Sequence, residues 1–299
     1  MLNKLLFVAL LGVFSGLVQA DAQTASPAAI TGRVKGRILA ARVQGQVNAV
    51  SKADGQSHVL RDGDPVAEQT QIVTADGANV ILVFSNGATV SVGANSKLDI
   101  EQFDQDPFAT DIKLAELKRE PGTSTTRLNL TKGELVGKVV HLNVENGSEF
   151  TVETPVGAAG IRGTTFRVVF RPERNGKAFF AVTTSDGVVV FRGHTSGPVS
   201  IPAGKQVVAT FDYTEPTQGG PGPVPPVEIK TSDTPPADEA AILGVEQTII
   251  FVDAPIIWVG IPSGGQTGAP PQAPAQPDSA PSVPAVPPPV TTPGAGSGP

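Results

Sequence analysis

The stretch TPVGAAGIRGTTF at residues 154–166 contains three glycines at a spacing of three. They are Gly157, Gly160 and Gly163, and only small or aliphatic residues and one arginine lie between them. A strand-like run, FRVVF at residues 166–170, completes the stretch and extends beyond it. Glycines placed in this way let the backbone take positive φ angles and pass close to other segments of the chain. The stretch therefore predicts tightly turned and closely packed β-structure.

Short apolar runs alternate with Gly, Asn and Asp turns on both sides of this stretch, from residue 38 to residue 212. This is roughly 175 residues, the size of one domain. The clearest hairpin lies at residues 80–92, where alternate apolar residues share one face and Asn86-Gly87 is predicted as a two-residue turn with positive φ at both positions. The predicted fold class is all-β: a single compact domain of short antiparallel strands and hairpins, β-roll or sandwich-like.

One part of this domain lacks the period-two alternation. Residues 102–126 show no strand pattern, and residues 111–120 fit either a short helix or an ordered loop. We interpret residues 102–126 as an irregular insertion between two strand-rich halves.

The first 20 residues are typical of a secretory signal peptide. A short charged start is followed by an apolar run at residues 5–14 and by the small-residue cleavage site Val18-Gln19-Ala20. The apolar run is shorter than the roughly 20 residues that span a bilayer. We therefore expect the mature chain to begin at Asp21, with a linker at residues 21–37. We expect it to be exported to the periplasm, or to the cell surface or medium, and not to be an integral membrane protein. The chain has no cysteine, so the fold cannot depend on disulfides.

The composition changes after Thr214, and 20 of the 28 prolines lie beyond it. Residues 213–245 are predicted as a proline-rich acidic linker and residues 263–299 as a disordered tail rich in Pro, Gly and Ala. Between them, the apolar segment at residues 246–262 is predicted to be strand-like, either as a strand pair or as a strip docked on the domain.

The net charge of −6 is unevenly distributed. Residues 214–299 hold eight acidic residues and one lysine, whereas residues 1–213 hold 21 basic and 20 acidic residues. The body of the protein is therefore nearly neutral and lacks a basic stripe, which argues against nucleic acid as a partner.

The glycine-rich stretch resembles the signature of the FecR domain, the periplasmic module of bacterial signal transducers. Three further pieces are similar to the family in the same order: residues 60–64 with 72–75, residues 83–87, and residues 130–135. The resemblance implies a compact all-β periplasmic domain that contacts other proteins rather than turning over a substrate. The residues that match the signature are Thr154, Pro155, Gly157, Gly160, Arg162, Gly163, Thr164 and Phe166.

The chain also departs from the family pattern. Well-known members carry a cytoplasmic anti-sigma segment and a transmembrane helix before this domain, whereas here the predicted signal peptide precedes it directly. We therefore expect no signalling across the membrane by this chain alone.

The Gly163-Thr164 bond and Arg162 can each be interpreted either functionally or structurally. Some anti-sigma members of the family cleave themselves at a Gly-Thr bond here, which in this chain is Gly163-Thr164; a threonine hydroxyl can attack the preceding carbonyl of a strained peptide. We favour instead a turn at Gly163 and a strand residue at Thr164. Arg162 is read as a partly buried guanidinium that binds carbonyls or a carboxylate, such as Glu134 or Glu153, with partner contact as the alternative.

The sequence contains no convincing metal-binding or catalytic motif. The three histidines, His58, His141 and His194, are not spaced as metal ligands, and Asp104 with Asp106 lacks the acidic loop of a calcium site. No Gly-x-Ser-x-Gly elbow or Walker motif occurs. We therefore predict no metal, no cofactor and no catalytic residues.

The sequence favours a non-catalytic exported interaction or scaffold protein built on a FecR-like domain, with an unidentified envelope protein as partner and a role in envelope sensing or assembly. The alternative is a module that binds the cell wall or a polysaccharide. Sugar-binding grooves usually present Trp or Tyr, and residues 38–212 contain neither. An enzymatic role is limited to self-cleavage at Gly163-Thr164.

Overall fold

The structure is a computed structural model that describes residues 32–112, 114–194, 196–215, 227–250 and 257–259. The predicted signal peptide at residues 1–20 and the predicted tail at residues 263–299 lie outside the described residues, as does most of the predicted linker at residues 21–37.

Twenty strands, one α-helix and two short 3₁₀ turns, at Leu114–Glu116 and Val144–Asn146, make up the described part of the chain. The helix, α1, is Pro236–Ile250. The strands are β1 (Val34–Lys35), β2 (Ile38–Gln44), β3 (Val47–Ser51), β4 (Ser57–Val59), β5 (Pro65–Val66), β6 (Thr70–Thr74), β7 (Asn79–Phe84), β8 (Thr89–Val92), β9 (Lys97–Gln105), β10 (Phe108–Ile112), β11 (Ser124–Lys138), β12 (Glu149–Thr154), β13 (Gly157–Ile161), β14 (Thr165–Pro172), β15 (Lys177–Asp186), β16 (Val188–Gly193), β17 (Pro198–Pro202), β18 (Lys205–Asp212), β19 (Thr231–Asp233) and β20 (Ile257–Val259).

Most strands belong to two sheets, and the chain crosses repeatedly from one to the other. Sheet A has the order β4-β3-β6-β9-β11-β12-β13-β16-β17, with β1 also paired to β9. Sheet B has the order β5-β2-β7-β8-β11-β14-β15-β18-β19. Every pairing in them is antiparallel except the parallel pair β11–β12. The prediction of an all-β domain built from antiparallel strands and hairpins is confirmed.

Strand β11 belongs to both sheets. Residues 124–132 pair with β9, whereas residues 133–138 pair with β14. The change occurs at Gly133, whose φ is +98°. A Cβ atom there would lie 2.1 Å from the Oγ atom and 2.5 Å from the Cα atom of Ser96. The backbone can therefore pass from one sheet to the other only with glycine at this position.

The inward faces of the two sheets form one apolar core. Four phenylalanine rings link strands from both sheets by edge-to-face contacts: Phe103 to Phe84 at 5.1 Å, Phe84 to Phe150 at 6.4 Å, and Phe150 to Phe166 at 6.3 Å between ring centroids. All four side chains are buried. Such pairs add about 0.5–1.5 kcal/mol each beyond the burial of their area.

The hairpin β7–β8 is present as predicted, but its turn is different. The backbone N–H of Gly87 donates to the carbonyl of Phe84, and the N–H of Phe84 donates to the carbonyl of Ala88. The loop therefore has three residues, with positive φ at Gly87 alone. Asn86 is only 2% exposed, and its amide donates to the hydroxyl of Ser124 at 3.0 Å. The prediction of a two-residue turn was wrong because the tip is buried and its asparagine satisfies a polar group in the interior.

The predicted irregular insertion at residues 102–126 is shorter in the structure. Strand β9 continues to Gln105, β10 follows, and β11 already begins at Ser124. The sequence pattern does not reveal these strands for two reasons. A change of register between β9 and β11 breaks the alternation of apolar residues, and among the described strands β10 pairs with the distant β20. Glu120 anchors the remaining loop, because its buried carboxylate accepts from the hydroxyl of Ser124 at 2.6 Å and from the N–H of Asn143.

The C-terminal segment contains a helix that the sequence analysis missed. Residues 236–250 form α1, so the prediction of a linker to residue 245 and of a strand-like segment from residue 246 was wrong for these residues. The linker was predicted from the high proline content of this segment. Pro236, however, is the first residue of the helix, a position where proline is tolerated. Residues 257–259 do form a strand, which pairs with β10.

Helix α1 packs against sheet B on the side away from the main core. Ile249 is 3% exposed and forms an apolar cluster with Ile81 and Val83 of β7. Two ion pairs fix the helix: Lys138 to Glu246 at 2.7 Å and Arg167 to Asp238 at 3.2 Å. Within the described residues, no helix has both the length and the apolar character that a membrane crossing requires.

We predict that Gly133→Ala lowers the free energy of unfolding by about 2 kcal/mol or more, because the new Cβ adds a clash with backbone to an unfavourable φ. The control is Gly176→Ala, where φ is +77° and a Cβ would meet nothing within 4 Å. It should cost only about 1 kcal/mol. Urea unfolding followed by circular dichroism measures both; equal losses would contradict the proposed role of Gly133.

Candidate functional site

The signature stretch forms the hairpin β12–β13 and the entry to β14. The hydroxyl of Thr154 donates to the carbonyl of Gly157 at 2.9 Å and accepts from the N–H groups of Val156 and Gly157 at 3.2 and 3.3 Å. Thr154 therefore closes the turn that contains Pro155. A Cβ at Gly157 would lie 2.2 Å from the carbonyl oxygen of Arg192, so glycine here permits the close approach of β16.

The Gly163-Thr164 peptide is enclosed by neighbouring backbone. Gly163 has φ of +80°, and a Cβ there would lie 3.0 Å from the Cα atom of His141. On the other side, a Cβ at Gly187 would lie 2.8 Å from the carbonyl oxygen of Gly163. Steric contact alone therefore accounts for glycine at position 163.

Thr164 does not have the surroundings of an activated nucleophile. Its side chain is 2% exposed, and its hydroxyl has no hydrogen-bond partner in the described part of the protein. A general base would have to lie within hydrogen-bond reach of this hydroxyl to accept its proton. The geometry favours the structural reading of Gly163-Thr164 over self-cleavage.

Arg162 lies on the surface, and the expectation of a partly buried guanidinium was wrong. The two carboxylates named as its partners bind other arginines. Glu134 pairs with Arg167 at 2.7 Å and also contacts Arg171. Glu153 pairs with Arg127 at 3.7 Å. The side chain of Arg162 follows the last residue of β13, at the edge of the exposed face of sheet A.

Gly160 is the one signature glycine for which the fold gives no reason. It lies in the middle of β13, its φ is not positive, and a Cβ there would meet only the carbonyl oxygen of Val190, at an ordinary 3.6 Å. Glycine inside a strand is destabilising by roughly 0.5–1 kcal/mol relative to alanine. Gly160 therefore breaks a local rule without a structural gain, which is typical of positions selected for function.

The strand neighbours of Gly160 on the exposed face of sheet A are small or medium-sized, and charged residues lie farther out. A row of paired residues crosses five strands of sheet A from β11 to β17, and a second row runs beside it. The first is Arg127, Thr151, Gly160, Val190 and Ser200, and the second is Asn129, Glu153, Ala158, Arg192 and Pro198. All ten are partly or fully exposed, whereas the residues that alternate with them face the core. We call these two rows and Arg162 the sheet A face.

The structure does not bring the histidines together. His58 lies in β4, His141 follows β11 and His194 follows β16, and all three are exposed. No group of three His, Asp or Glu side chains able to hold a metal ion occurs among the described residues. Burial would raise the pKa of Asp104, but hydrogen bonds from Lys35 and Gln102 hold it below its usual range. Asp106 instead accepts from the N–H of Thr123 at 3.0 Å.

Residues 70–190 match the family model described as "FecR protein". This part of the chain is therefore similar to a FecR domain. The match begins at the first residue of β6 and ends within β16, so it includes the whole signature. Strands β2 to β5 and β17 to β19 lie outside the matched residues, yet they hydrogen-bond within the same two sheets.

Two crystal structures, at 1.65 and 2.50 Å resolution, of a protein from Parabacteroides distasonis ATCC 8503 are similar to this chain. That protein is provisionally described as an anti-sigma factor. Both are 16% identical to the chain with a TM-score of 0.39, and the alignments cover 58% of this chain and 64% and 63% of theirs. The chain thus spans less than two thirds of the length of these structures. No curated protein matches the chain.

Sequence reasoning missed two features that bear on the site. The special status of Gly160 is visible only once the space around each signature glycine is known. Helix α1 does have a sequence signal, since Ile242, Val245 and Ile249 recur at helical spacing after Pro236 and the acidic pair Asp238-Glu239.

We predict opposite effects for two threonines of the FecR signature. Thr164→Val should raise the free energy of unfolding by about 1 kcal/mol, because it removes a buried hydroxyl that has no partner. Thr154→Val is the matched control and should lower it by about 1–2 kcal/mol, because three hydrogen bonds in the turn are lost. Thermal and urea unfolding of both variants measure this. A loss of stability in Thr164→Val would show that its hydroxyl has a partner.

Proposed function

We propose that this protein is an exported, non-catalytic interaction or scaffold protein that acts in sensing or assembly at the cell envelope, and that it contacts its partner through the sheet A face. FecR domains belong to regulatory rather than enzymatic families, which supports the class of function. The observation that carries the proposal is Gly160, a glycine inside a strand that the fold does not require.

The sheet A face suits contact with another protein. Its centre, at Thr151, Gly160 and Val190, offers little side-chain bulk, so a partner can approach the backbone of β13 closely. Charged groups surround the centre: Arg127 lies in the same row as Gly160, Glu153 and the exposed Arg192 lie in the second row, and the exposed Arg162 lies beyond Gly160 on the other side. Such a rim favours correct orientation and discrimination between partners more than affinity.

A polysaccharide is a poorer fit to this face. Sugar-binding surfaces stack rings on aromatic side chains, and neither row of the sheet A face contains one. The phenylalanines of β9, β12, β14 and β16, namely Phe103, Phe150, Phe166, Phe170 and Phe191, are all buried in the core.

We predict that Gly160→Val abolishes partner capture without weakening the fold. Valine favours a strand, and its side chain would project into the contact surface. The control is Asn48→Val, which adds the same side chain to β3 of sheet A, away from Gly160. The chain from residue 21 to 299 serves as bait in an extract of the cell envelope, and partners are quantified by mass spectrometry.

A partner retained by the wild type and by Asn48→Val, and reduced at least about tenfold by Gly160→Val, would support the proposal; tenfold corresponds to about 1.4 kcal/mol. Equal capture by all three baits would exclude the sheet A face. Sedimentation of the wild type with purified cell-wall glycan, in the absence of any captured protein, would favour the polysaccharide alternative.

Export and the lack of self-cleavage are tested together by intact mass. We expect the chain recovered from a periplasmic or extracellular fraction to begin at Asp21 and to remain uncut at Gly163-Thr164. A chain that keeps residues 1–20 in the cytoplasmic fraction would contradict export. Two fragments that meet at Thr164, and that are absent in Thr164→Val, would establish self-cleavage.

A further inference from the structure

Sheet B presents an apolar surface on the side away from the main core. Five residues that alternate with core residues on β7, β11, β14 and β15 are only 0–4% exposed: Ile81, Val83, Val136, Val169 and Ala181. An outer face that met solvent would carry polar residues at these positions. Helix α1 lies over these strands, with Ile242 0% exposed and Ile249 3% exposed.

The same surface carries two basic side chains that form ion pairs with acidic residues of the helix. Lys138 binds Glu246 and Arg167 binds Asp238, and the two carboxylates are eight residues apart on one face of α1. Burial alone would lower the pKa of Arg167, but the hydrogen bond and charge of Glu134 and the charge of Asp238 raise it. The guanidinium of Arg167 is therefore shared between Glu134 of β11 and Asp238 of the helix.

Helix α1 leaves part of this surface uncovered. A pocket of about 360 Å³ remains near its C-terminal half, lined by Val245 and Thr248 of the helix and by residues that include Asn79 of β7 and Ser91 of β8. Gly244 lies in the middle of the helix on its exposed side, with nothing within 4 Å of a Cβ built on it, so the glycine weakens the helix with no packing gain. Leu243, on the same side, is 44% exposed.

Helix α1 lies at the periphery of the domain. Among the described strands, the one that precedes it most closely is β19, which has three exposed residues at the edge of sheet B. No described residue of α1 belongs to the main core cluster. The helix is held instead by the separate apolar cluster with β7 and by two ion pairs. A segment held outside the main core can open locally while the rest of the domain stays folded.

We propose that this surface of sheet B is a helix-docking site that α1 occupies in cis, and that an acidic helix of a partner protein binds there by displacing α1. The partner helix matches the pattern of α1: apolar residues where α1 has Ile242, Val245 and Ile249, and carboxylates where it has Asp238 and Glu246. A partner without the central glycine and with a longer apolar side chain at the pocket binds more tightly than α1 does. This site is separate from the sheet A face and does not depend on it.

The test uses the full chain and a fluorescent peptide of residues 234–250 that carries Gly244→Ala. In the chain variant Ile242→Asp, α1 no longer docks and the site is vacant. Fluorescence anisotropy should show the peptide binding to this variant at least about tenfold more tightly than to the wild type, in which the tethered helix competes. Leu243→Asp is the matched control: it places the same charge on the exposed side of α1 and should bind the peptide as weakly as the wild type.

A charge exchange tests the orientation of the helix. Adding Lys138→Glu to the Ile242→Asp chain should weaken binding of the peptide by about tenfold. A peptide with Glu246→Lys should bind this double variant with the original affinity, as expected for a coupled charge pair. Equal binding to all chains, no binding to any chain, or no recovery on charge exchange would overturn the proposal.

Two further results would also overturn it. If sedimentation shows that the wild type is a dimer and that Ile242→Asp is a monomer, the occupant is the α1 helix of a second copy. If hydrogen exchange in the wild type shows amides of α1 as protected as those of β7 and β14, α1 opens only with the whole domain and cannot be displaced. We expect exchange in α1 at least about 100-fold faster, since the opening free energy of a peripheral segment is lower.

Discussion

The passage of β11 through both sheets is the constraint on which the rest of the structure depends. Its first part pairs with β9 and β12, and its second part pairs with β8 and β14. Because a strand slipped by one residue would turn its core side chains outward, β11 fixes the register of four neighbours at once. The bend at Gly133 then sets how the two sheets lie over each other. The alternation of core and surface residues elsewhere follows from this arrangement.

A buried polar cluster is the second constraint. The tip of the β7–β8 hairpin is buried, and Asn86 donates to Ser124, whose hydroxyl donates to the carboxylate of Glu120. Buried polar groups destabilise a fold unless they form hydrogen bonds, and each member of this cluster has a hydrogen-bond partner. Glu120 also accepts from the backbone of Asn143. The cluster thus connects the irregular loop before β11, the hairpin tip and the segment after β11.

The two sheets differ in what they present to other molecules. The sheet A face is exposed and carries charged residues around its centre, and it contains the one signature glycine without a structural role. The outer surface of sheet B is apolar and basic, and α1 covers it with two ion pairs and a small apolar cluster. A partner at the sheet B surface, as we propose, must compete with α1, whereas the proposed partner at the sheet A face meets no such competition.

The sequence alone determined the class of the fold. Period-two apolar runs and Gly and Asn turns predicted an all-β domain, because these signals depend on local backbone geometry and on the alternation of a strand. The stretch at residues 154–166 added the resemblance to the FecR family, whose model matches residues 70–190. The assignment of β10, of the end of β9 and of α1 failed where local pattern and structure diverge. Strand β10 pairs with a partner about 145 residues away, a distance at which no local signal applies, and α1 lies in a segment whose proline content suggested a linker.

Only the tertiary structure decided the roles of the individual site residues. In the sequence, Gly157, Gly160 and Gly163 look equivalent, but the first is held by β16, the third by His141, and Gly160 by nothing. Arg162 looked buried because its sequence neighbours are small and aliphatic, yet it ends its strand on the surface, and Glu134 is bound by Arg167 from an adjacent strand. The space around a residue and the partner of a charge are set by segments distant in the chain. Composition and spacing therefore cannot supply them.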